Sequence, residues 1–301
     1  MYDKMLVEVY KSNFINRRGT VNEVKIMPIT KEWLEKQHIE YGLNFKEIAK
    51  KAGKAEGTIH RWAKIHGIKN QTPTNRIKKY SYNENYFEKI DSEEKAYFLG
   101  WIMADGYISS TYGKNGSLKQ HKLRIVLKSA DRELLEKFNK ALNGNLPITD
   151  FIQKTFGGEY PASRIDVNCT KLCKDLIRLG VIPGKSNNES MPKLAKKLTR
   201  HFLRGLFDGD GSLSISQEKH WTWAHYTQAG SEKILLQIKK FYENQGVVFP
   251  NVFMIESKGI NVLLCNKTED VIKIIELMYK DSNFYLTRKK DKCWNFRLQK
   301  I

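Results

Sequence analysis

The sequence predicts an α+β protein made of two related halves, preceded by a small and mainly helical N-terminal domain. The first observation is an internal repeat, in which YFLGWIMADGYIS at 97–109 matches FLRGLFDGDGSLS at 202–214 position by position. The second is that the same series of predicted elements follows each copy, so that each half has the order αββαββα. The third is a set of apolar residues at helical spacing between residues 31 and 65, ahead of both copies.

Short alternating segments bounded by turn residues predict the strands, and longer segments with one apolar face predict the helices. After the first motif we expect strands at 107–112, 122–127, 148–156 and 162–168, with helices at 130–142 and 170–179. After the second motif we expect strands at 212–217, 221–228, 250–257 and 261–266, with helices at 231–244 and 267–280. Each half therefore contributes four strands.

These patterns divide the chain into four predicted segments. Residues 1–72 form the N-terminal domain, 73–92 a basic linker, 93–190 the first half and 191–301 the second half. The linker assignment depends on composition, because this stretch is polar, basic and rich in turn-forming residues.

Residues 45–68 resemble a helix-turn-helix motif. Ala49 supplies the small residue where the two helices touch, and Gly53 tolerates the positive φ of the turn. Lys54 departs from the motif, since an apolar residue is common there. A helix from about 55 to 65 would turn four polar side chains toward the major groove of DNA, namely Thr58, His60, Arg61 and Lys64. The alternative is an ordinary pair of helices that binds no nucleic acid.

The composition predicts a folded protein with an anionic partner. Of 301 residues, 52 are Lys or Arg and 33 are Asp or Glu, which gives a net charge of +19. The first 80 residues contain 17 basic and 8 acidic residues, so about half of the excess lies in this quarter of the chain. Apolar residues make up 41% of the chain, too many for a disordered protein. The charge favours nucleic acid as the partner over a membrane surface.

The sequence also bears on location. No run approaches ~18 uncharged apolar residues, and the charged N-terminus lacks the apolar core of a signal peptide. The four cysteines, Cys169, Cys173, Cys265 and Cys293, are too scattered for a disulfide framework or a zinc site. We therefore expect a soluble protein of the cytoplasm of a bacterial, phage or archaeal host, or of an organelle, that is not secreted.

The two repeated motifs have the pattern of a helix that ends in an acid. Gly100 and Gly205 lie among apolar residues, so two such helices related by a pseudo-twofold axis could pack closely. Asp105 and Asp210 would then meet at the same end of the helix pair. Two neighbouring carboxylates repel each other unless cations join them, and oxygen ligands of this kind suit Mg²⁺. Such a pair is the arrangement used for attack on a phosphodiester.

Residues 92–301 resemble the LAGLIDADG homing endonucleases, in the monomeric form that carries both motifs on one chain. The resemblance implies two αββαββα halves whose paired antiparallel four-stranded sheets form a saddle over double-stranded DNA. It implies that Asp105 and Asp210, with Ala104 and Gly209 before them, hold two or three Mg²⁺ ions. The first motif departs from the family at Trp101 and Met103, where an aliphatic residue and an acid are common.

The family also places a basic residue near each scissile phosphate. The candidates here are Lys185 and Lys289, and the alternatives are a plain phosphate contact or a solvated lysine. Outward-facing strand residues would contact the DNA, and the candidates are Lys122, Arg124, Lys128, Lys154, Arg164, Gln217, Gln228 and Lys258.

The leading hypothesis is therefore a monomeric, Mg²⁺-dependent endonuclease that makes a double-strand break in a long DNA site and promotes intron homing. One alternative is a maturase that assists intron RNA splicing on the same scaffold. Another is a transcription regulator that binds DNA without cutting it. Both alternatives make Asp105 and Asp210 dispensable, and the presence of both acids favours the nuclease.

Overall fold

The computed structural model contains two compact units, residues 1–79 and residues 80–301. Structure is described for residues 10–15, 21–26, 29–69, 79–155, 157–183, 189–218, 221–249, 252–255 and 260–299. Within these ranges, no helix has both the length and the apolar composition needed to cross a bilayer.

The first unit begins with a hairpin of two antiparallel strands, β1 (Tyr10–Ile15) and β2 (Val21–Ile26). Helix α1 (Lys31–Glu35) starts where the Thr30 hydroxyl accepts a hydrogen bond from the first turn at 3.2 Å. It continues as a π-helical segment over Lys36–Glu40. The apolar residues at helical spacing after residue 31 thus lie on a helix, and its second half is more loosely wound than an α-helix.

Two further helices complete this unit, α2 (Phe45–Ala52) and α3 (Glu56–Ile65). Asn44 and Glu47 form a reciprocal capping box at the start of α2, each accepting a backbone hydrogen bond at 2.9 Å. Gly53 ends α2 with φ +61°, the left-handed conformation that the turn requires. The buried core of the unit consists of Ile29, Leu34, Phe45, Ile48, Ala49, Ile59, Ala63 and Ile68.

The second unit contains two halves, each with the predicted order αββαββα, so the predicted fold class is confirmed. The first half comprises α4 (Glu93–Asp105), β3 (Gly106–Tyr112), β4 (Leu118–Lys128), α5 (Arg132–Ala141), β5 (Ile148–Thr155), β6 (Gly158–Val167) and α6 (Thr170–Arg178). The second half comprises α7 (Lys196–Asp210), β7 (Gly211–Glu218), β8 (Trp221–Gly230), α8 (Glu232–Glu243), β9 (Val252–Ile255), β10 (Ile260–Cys265) and α9 (Thr268–Tyr279).

Each half forms one antiparallel four-stranded sheet with the same topology. The strand orders are β3-β4-β6-β5 and β7-β8-β10-β9. Each sheet buries one face under its helices and turns the other, here called its outer face, away from them. The buried residues of both halves form one continuous apolar cluster that includes α4 and α7.

Helices α4 and α7 pack against each other at two glycines. A Cβ atom placed on Gly100 would collide with the backbone of Phe202, and one placed on Gly205 would collide with the backbone of Tyr97. The two helix backbones are therefore in direct contact, which larger side chains at these positions would prevent. The predicted role of the two glycines as packing residues agrees with this geometry.

Two parts of the second unit differ from the sequence-based expectation. The predicted linker 73–92 overlaps the second unit, because Tyr86 and Phe87 are buried in its core beside α4. These aromatic residues supply apolar surface that the polar composition of the stretch conceals. In addition, a helix without a counterpart in the repeat, α10 (Thr287–Leu298), packs on α9 and β7.

Candidate active site at the ends of the paired helices

Asp105 and Asp210 are the last residues of α4 and α7. The glycines that follow them, Gly106 and Gly211, are extended, with φ −74° and −92°, and not left-handed as in a common helix cap. Their requirement for glycine is one of space. A Cβ atom on Gly106 would lie 2.5 Å from the Ile102 carbonyl oxygen, and one on Gly211 would collide with a buried aromatic ring.

The structure brings the two motif ends together. A Cβ atom placed on Gly209 would lie 3.2 Å from Oδ2 of Asp105 and would collide with Ala104. The Asp105 carboxylate therefore lies against the last turn of α7, beside the residue that precedes Asp210. Asp105 is half-buried and Asp210 is exposed.

The donors at this position are oxygen atoms. Two carboxylates and the nearby backbone carbonyls offer the hard ligands that Mg²⁺ prefers, and this ion commonly keeps several water ligands. No cluster of three or more His, Cys, Asp or Glu side chains that could hold a metal occurs within the described ranges. The residues present thus fit a partly hydrated Mg²⁺ ion better than a metal enclosed by protein ligands.

Lys289, at the start of α10, reaches the end of α7. Its Nζ donates hydrogen bonds to the carbonyl oxygens of Phe207 at 2.7 Å, Gly209 at 3.3 Å and Gly211 at 2.7 Å. Burial lowers the pKa of Lys289, although the nearby Asp208 opposes this shift. The ammonium group therefore neutralises the negative end of the helix and contacts the carbonyl of Gly209, which the family resemblance assigns to metal binding.

The other lysine expected near the chemistry, Lys185, lies outside the described residues. For Lys289, the carbonyl contacts can be compared with its predicted role near a scissile phosphate. An ammonium group has three donors, and three carbonyl acceptors surround this one. The geometry favours a group that fixes the backbone on either side of Asp210.

Asp208 was not among the functional residues predicted from the sequence, and its side chain is buried, with 3% exposure. It accepts hydrogen bonds from the hydroxyls of Tyr97 at 2.8 Å and Tyr279 at 2.6 Å, and from the backbone N–H of Leu286 at 2.7 Å. Burial raises the pKa of Asp208, while these hydrogen bonds oppose the rise. Asp208 thus connects α4, α7, α9 and the segment that leads to Lys289.

A second buried polar network lies one turn earlier on α7. Arg204 is fully buried and donates to Glu93 Oε1 at 2.7 Å and to the carbonyl oxygens of Met278 at 2.6 Å and Phe284 at 2.7 Å. Burial would raise the pKa of Glu93, but hydrogen bonds from Asn283 and the charge of Arg204 outweigh it and lower that pKa. The position of Arg204 between the apolar residues Leu203 and Leu206 was the available sequence signal for this network.

Helix α10 also ties the two halves together. Arg288 forms two hydrogen bonds with the carboxylate of Asp131 in the first half, at 2.7 and 2.8 Å. The backbone N–H of Thr287 donates to Glu133 in the same half at 3.3 Å. The element that carries Lys289 is therefore held by both halves.

Four of the predicted DNA-contact residues share the outer face of the first sheet. By strand register these are Lys122, Arg124, Lys128 and Arg164. Side chains alternate between the two faces along a strand, and in the β5–β6 pairing Lys154 lies opposite Glu159, on the face that Arg164 does not share. The Lys154 ammonium pairs there with the Glu159 carboxylate at 2.7 Å. Lys154 was predicted to contact DNA because it is basic, and this prediction is wrong for the outer face, because the strand pairing places Lys154 on the opposite face.

The second sheet requires further corrections. Gln228 is 1% exposed and shares the buried face with Tyr226, so it cannot contact a ligand on the outer face. Gln217 lies four residues from buried Leu213 on β7, so both side chains are on the same face, which is not the outer one. Lys258 lies outside the described residues. The outer face instead carries residues that the sequence analysis missed: Ser212, Ser214, Ser216, Trp223, His225 and Thr227.

In the first unit, the four residues predicted to face DNA lie on α3. His60, Arg61 and Lys64 are exposed and Thr58 is half-buried. The His60 ring packs edge-on against Phe45 with centroids 4.8 Å apart. The exposure of His60, Arg61 and Lys64 agrees with the predicted helix-turn-helix, and DNA binding by α3 stays a prediction.

A family model described as the LAGLIDADG-like domain matches residues 92–173 and 197–268. The chain is 25% identical over 292 residues to the uncharacterized protein MJ1054 of Methanocaldococcus jannaschii, a match that covers 91% of this chain. It spans only 28% of the length of that relative.

Among solved structures, the chain resembles the LAGLIDADG homing endonuclease I-GzeII in complex with its DNA target, at 14% identity and TM-score 0.46. That match covers 67% of this chain and 88% of the other. A variant of I-DmoI with its target DNA in the presence of Mg matches at 19% identity and TM-score 0.44, covering 66% of this chain and 100% of the other. The family model matches each half once, covers more than half of the chain and includes each helix with its terminal acid, so the chain belongs to the LAGLIDADG-like domain family.

Proposed function

We propose that this protein is a homing endonuclease that makes a double-strand break in a long DNA target by metal-dependent phosphodiester hydrolysis. The observation that carries the proposal is the meeting of Asp105 with the end of α7, one residue from Asp210. Two acids at the junction of two related halves can serve two strands of a duplex.

The residues of the chain have separable roles in this proposal. The carboxylates of Asp105 and Asp210, with the carbonyls of Ala104 and Gly209, would hold the divalent ions. Bound Mg²⁺ would stabilise charge on the attacking and leaving oxygens of the phosphodiester. Lys289 holds the backbone around Asp210 through its three carbonyl contacts and thereby orients that carboxylate.

The outer faces of the two sheets would bind the duplex on both sides of the acids. Because the halves differ in sequence, we expect a long and nearly asymmetric DNA site bound by one protein chain. Splicing of intron RNA would use the same outer faces without the acids, so that acid-dependent DNA cleavage in the experiment below supports the nuclease.

The proposal is tested with a plasmid that carries the intronless host locus, in the presence of Mg²⁺. Wild type should linearise it, and Asp105→Asn or Asp210→Asn should reduce cleavage at least ~100-fold, because losing one charge-stabilising group costs roughly 10²–10³ in rate. Glu269→Gln is the matched control, since Glu269 is an exposed acid on α9 with 76% side-chain exposure.

Nicking of a single strand by either Asn variant would support one acid for each strand. Tight binding without cleavage by wild type would instead identify a non-catalytic DNA-binding protein. Cleavage by both Asn variants at the wild-type rate would remove the two acids from the mechanism.

A further inference from the structure

The outer faces of the two sheets differ in charge. On the first sheet, Lys122, Arg124 and Arg164 surround one carboxylate, that of Asp166. Arg124 Nε and Nη2 lie 2.8 and 3.2 Å from its oxygens, Lys122 Nζ lies at 3.0 Å and Arg164 Nε at 3.5 Å. One carboxylate cannot neutralise three cations, so this cluster keeps a net positive charge.

The cluster is both ordered and accessible. Arg124 and Asp166 are direct cross-strand neighbours of β4 and β6, which fixes the carboxylate at the centre of the sheet. The side chains of Lys122, Arg124 and Arg164 are 29, 41 and 32% exposed. Lys128 extends the positive face, with its ammonium 5.7 Å from the centre of the Tyr160 ring.

The corresponding face of the second sheet has no Lys or Arg among its described side chains on β7 and β8. On these two strands the outer face carries one acid, Glu218, among its described residues. The other polar and aromatic side chains there are three serines, Thr227, His225 and Trp223. Hydroxyl and imidazole groups can hydrogen-bond to bases or phosphates, but a hydroxyl displaces no counterion from DNA.

We propose that the two halves hold the duplex by different chemistry: the first sheet anchors phosphates through the cation cluster around Asp166, and the second sheet binds through uncharged hydrogen-bonding and aromatic groups. This inference rests on the proposed DNA binding. It adds that, among the described strand residues of the two outer faces, those of the first sheet supply the salt-dependent part of the affinity. Asp166 holds the cations at fixed spacing and, as an internal counter-ion, limits their attraction for any duplex.

The test measures affinity of the full chain for a duplex of arbitrary sequence as a function of salt. Log K falls as log salt rises, and each phosphate contact contributes roughly 0.9 to the steepness of this fall. Replacement of Lys122, Arg124 and Arg164 by Gln should therefore make the negative slope shallower by about two to three. The affinity lost between ~50 and ~200 mM salt should then shrink by about 16- to 64-fold. Ser214→Ala, Ser216→Ala and Thr227→Val together form the matched variant of the second sheet and should leave the slope unchanged.

Equal slopes for wild type and the first-sheet variant, or equal losses in the two variants, would overturn the inference. Asp166→Asn provides a second measurement with the opposite sign, because it should tighten non-specific binding and steepen the slope. Weaker binding by Asp166→Asn would overturn its role as a counter-ion. Failure of wild type to bind any duplex would contradict the proposed function itself, whereas altered slopes with cleavage retained would concern this inference alone.

Discussion

At the scale of single residues, the end of α7 shows how position in a helix separates two acids. Asp208 and Asp210 are two residues apart, which places their side chains about 200° apart around the helix axis. Asp208 therefore points into the core, where it accepts hydrogen bonds from Tyr97, Tyr279 and the backbone of Leu286. Asp210 is exposed, and Gly209 immediately before it lies against the Asp105 carboxylate. The two side chains are chemically identical, but Asp208 is buried and hydrogen-bonded whereas Asp210 is exposed, in agreement with the site role proposed for Asp210.

Substitutions should separate these two roles. Asp208→Asn should lower the free energy of unfolding by about 2–3 kcal/mol, because its amide N–H₂ would face hydrogen-bond donors in a buried place. Asp210→Asn should change it by less than about 0.5 kcal/mol, since the side chain is exposed, and should reduce double-strand cleavage at least ~100-fold. Urea denaturation and the plasmid assay measure the two effects. An Asp208→Asn protein of normal stability that cannot cleave would place Asp208 in the reaction instead.

His201 provides a pH-dependent test of the buried network around Arg204. Burial and the neighbouring Arg204 lower the pKa of His201 from 6.5 to about 4, with Glu93 opposing and Arg200 adding to the shift. The unfolded chain then binds a proton between these values that the folded chain does not, so this residue destabilises the fold as pH falls from 6.5 toward 4.

The expected loss in the free energy of unfolding between pH 7.5 and 5 is about 2 kcal/mol. Replacement of His201 by Gln should remove this component, and urea denaturation at both pH values measures it. A wild-type and variant pair with the same pH dependence would show that the imidazole keeps its ordinary pKa in the folded protein.

At the scale of elements, the contact between α4 and α7 depends on glycine. Gly100→Ala should destabilise the second unit by at least about 3 kcal/mol, because the new Cβ would collide with backbone atoms that cannot rotate away. Gly57→Ala on α3 is the matched control, since nothing lies within 4 Å of its added Cβ. It should be neutral or stabilising by up to about 1 kcal/mol. Chemical denaturation of both variants measures the difference, and similar stabilities would show that the helices can separate without cost.

Elements with strong local patterns were predictable from the sequence, and those that depend on distant packing were not. The repeat located α4 and α7, and helical periodicity located α5, α6, α8 and α9. Helix α10 has no counterpart in the repeat and few apolar residues, so only its contacts with α9 and β7 define it. The sequence also placed both acids at the helix ends. The family resemblance named Lys289 as a candidate near the reaction, but the sequence could not show its contacts with the end of α7, because they join residues about 80 positions apart.

The errors in the strand residues have a common cause. Lys154 and Gln228 were chosen for their chemical type, although alternation along β5 and β8 places both on the face opposite to the outer one. Period-two alternation relative to a buried neighbour, such as Tyr226 for Gln228, was the information that could have corrected them. Lys122, Arg124, Lys128 and Arg164 satisfied both criteria, and the structure places all four on the outer face.

At the scale of the whole molecule, positive charge is present in both units, and the first unit should add its own salt-dependent contact with DNA. Arg61 and Lys64 are exposed on α3, where the helix-turn-helix expectation places the DNA-facing surface. Replacing both by Gln should make the negative slope of log K against log salt shallower by up to about two. The same change at Lys31 and Lys36, exposed basic residues of the preceding helical segment, removes equal charge from another surface and should leave the slope nearly unchanged.

Fluorescence anisotropy of a labelled duplex with each full-length variant measures these slopes. Because both pairs change the net charge equally, a general electrostatic attraction would reduce the two slopes alike. A loss confined to the α3 pair would therefore identify a specific docking surface, and cleavage by bound protein should persist because Asp105 and Asp210 are untouched. Equal slopes for the α3 variant and wild type would mean that this unit binds no DNA and that the saddle carries the affinity alone.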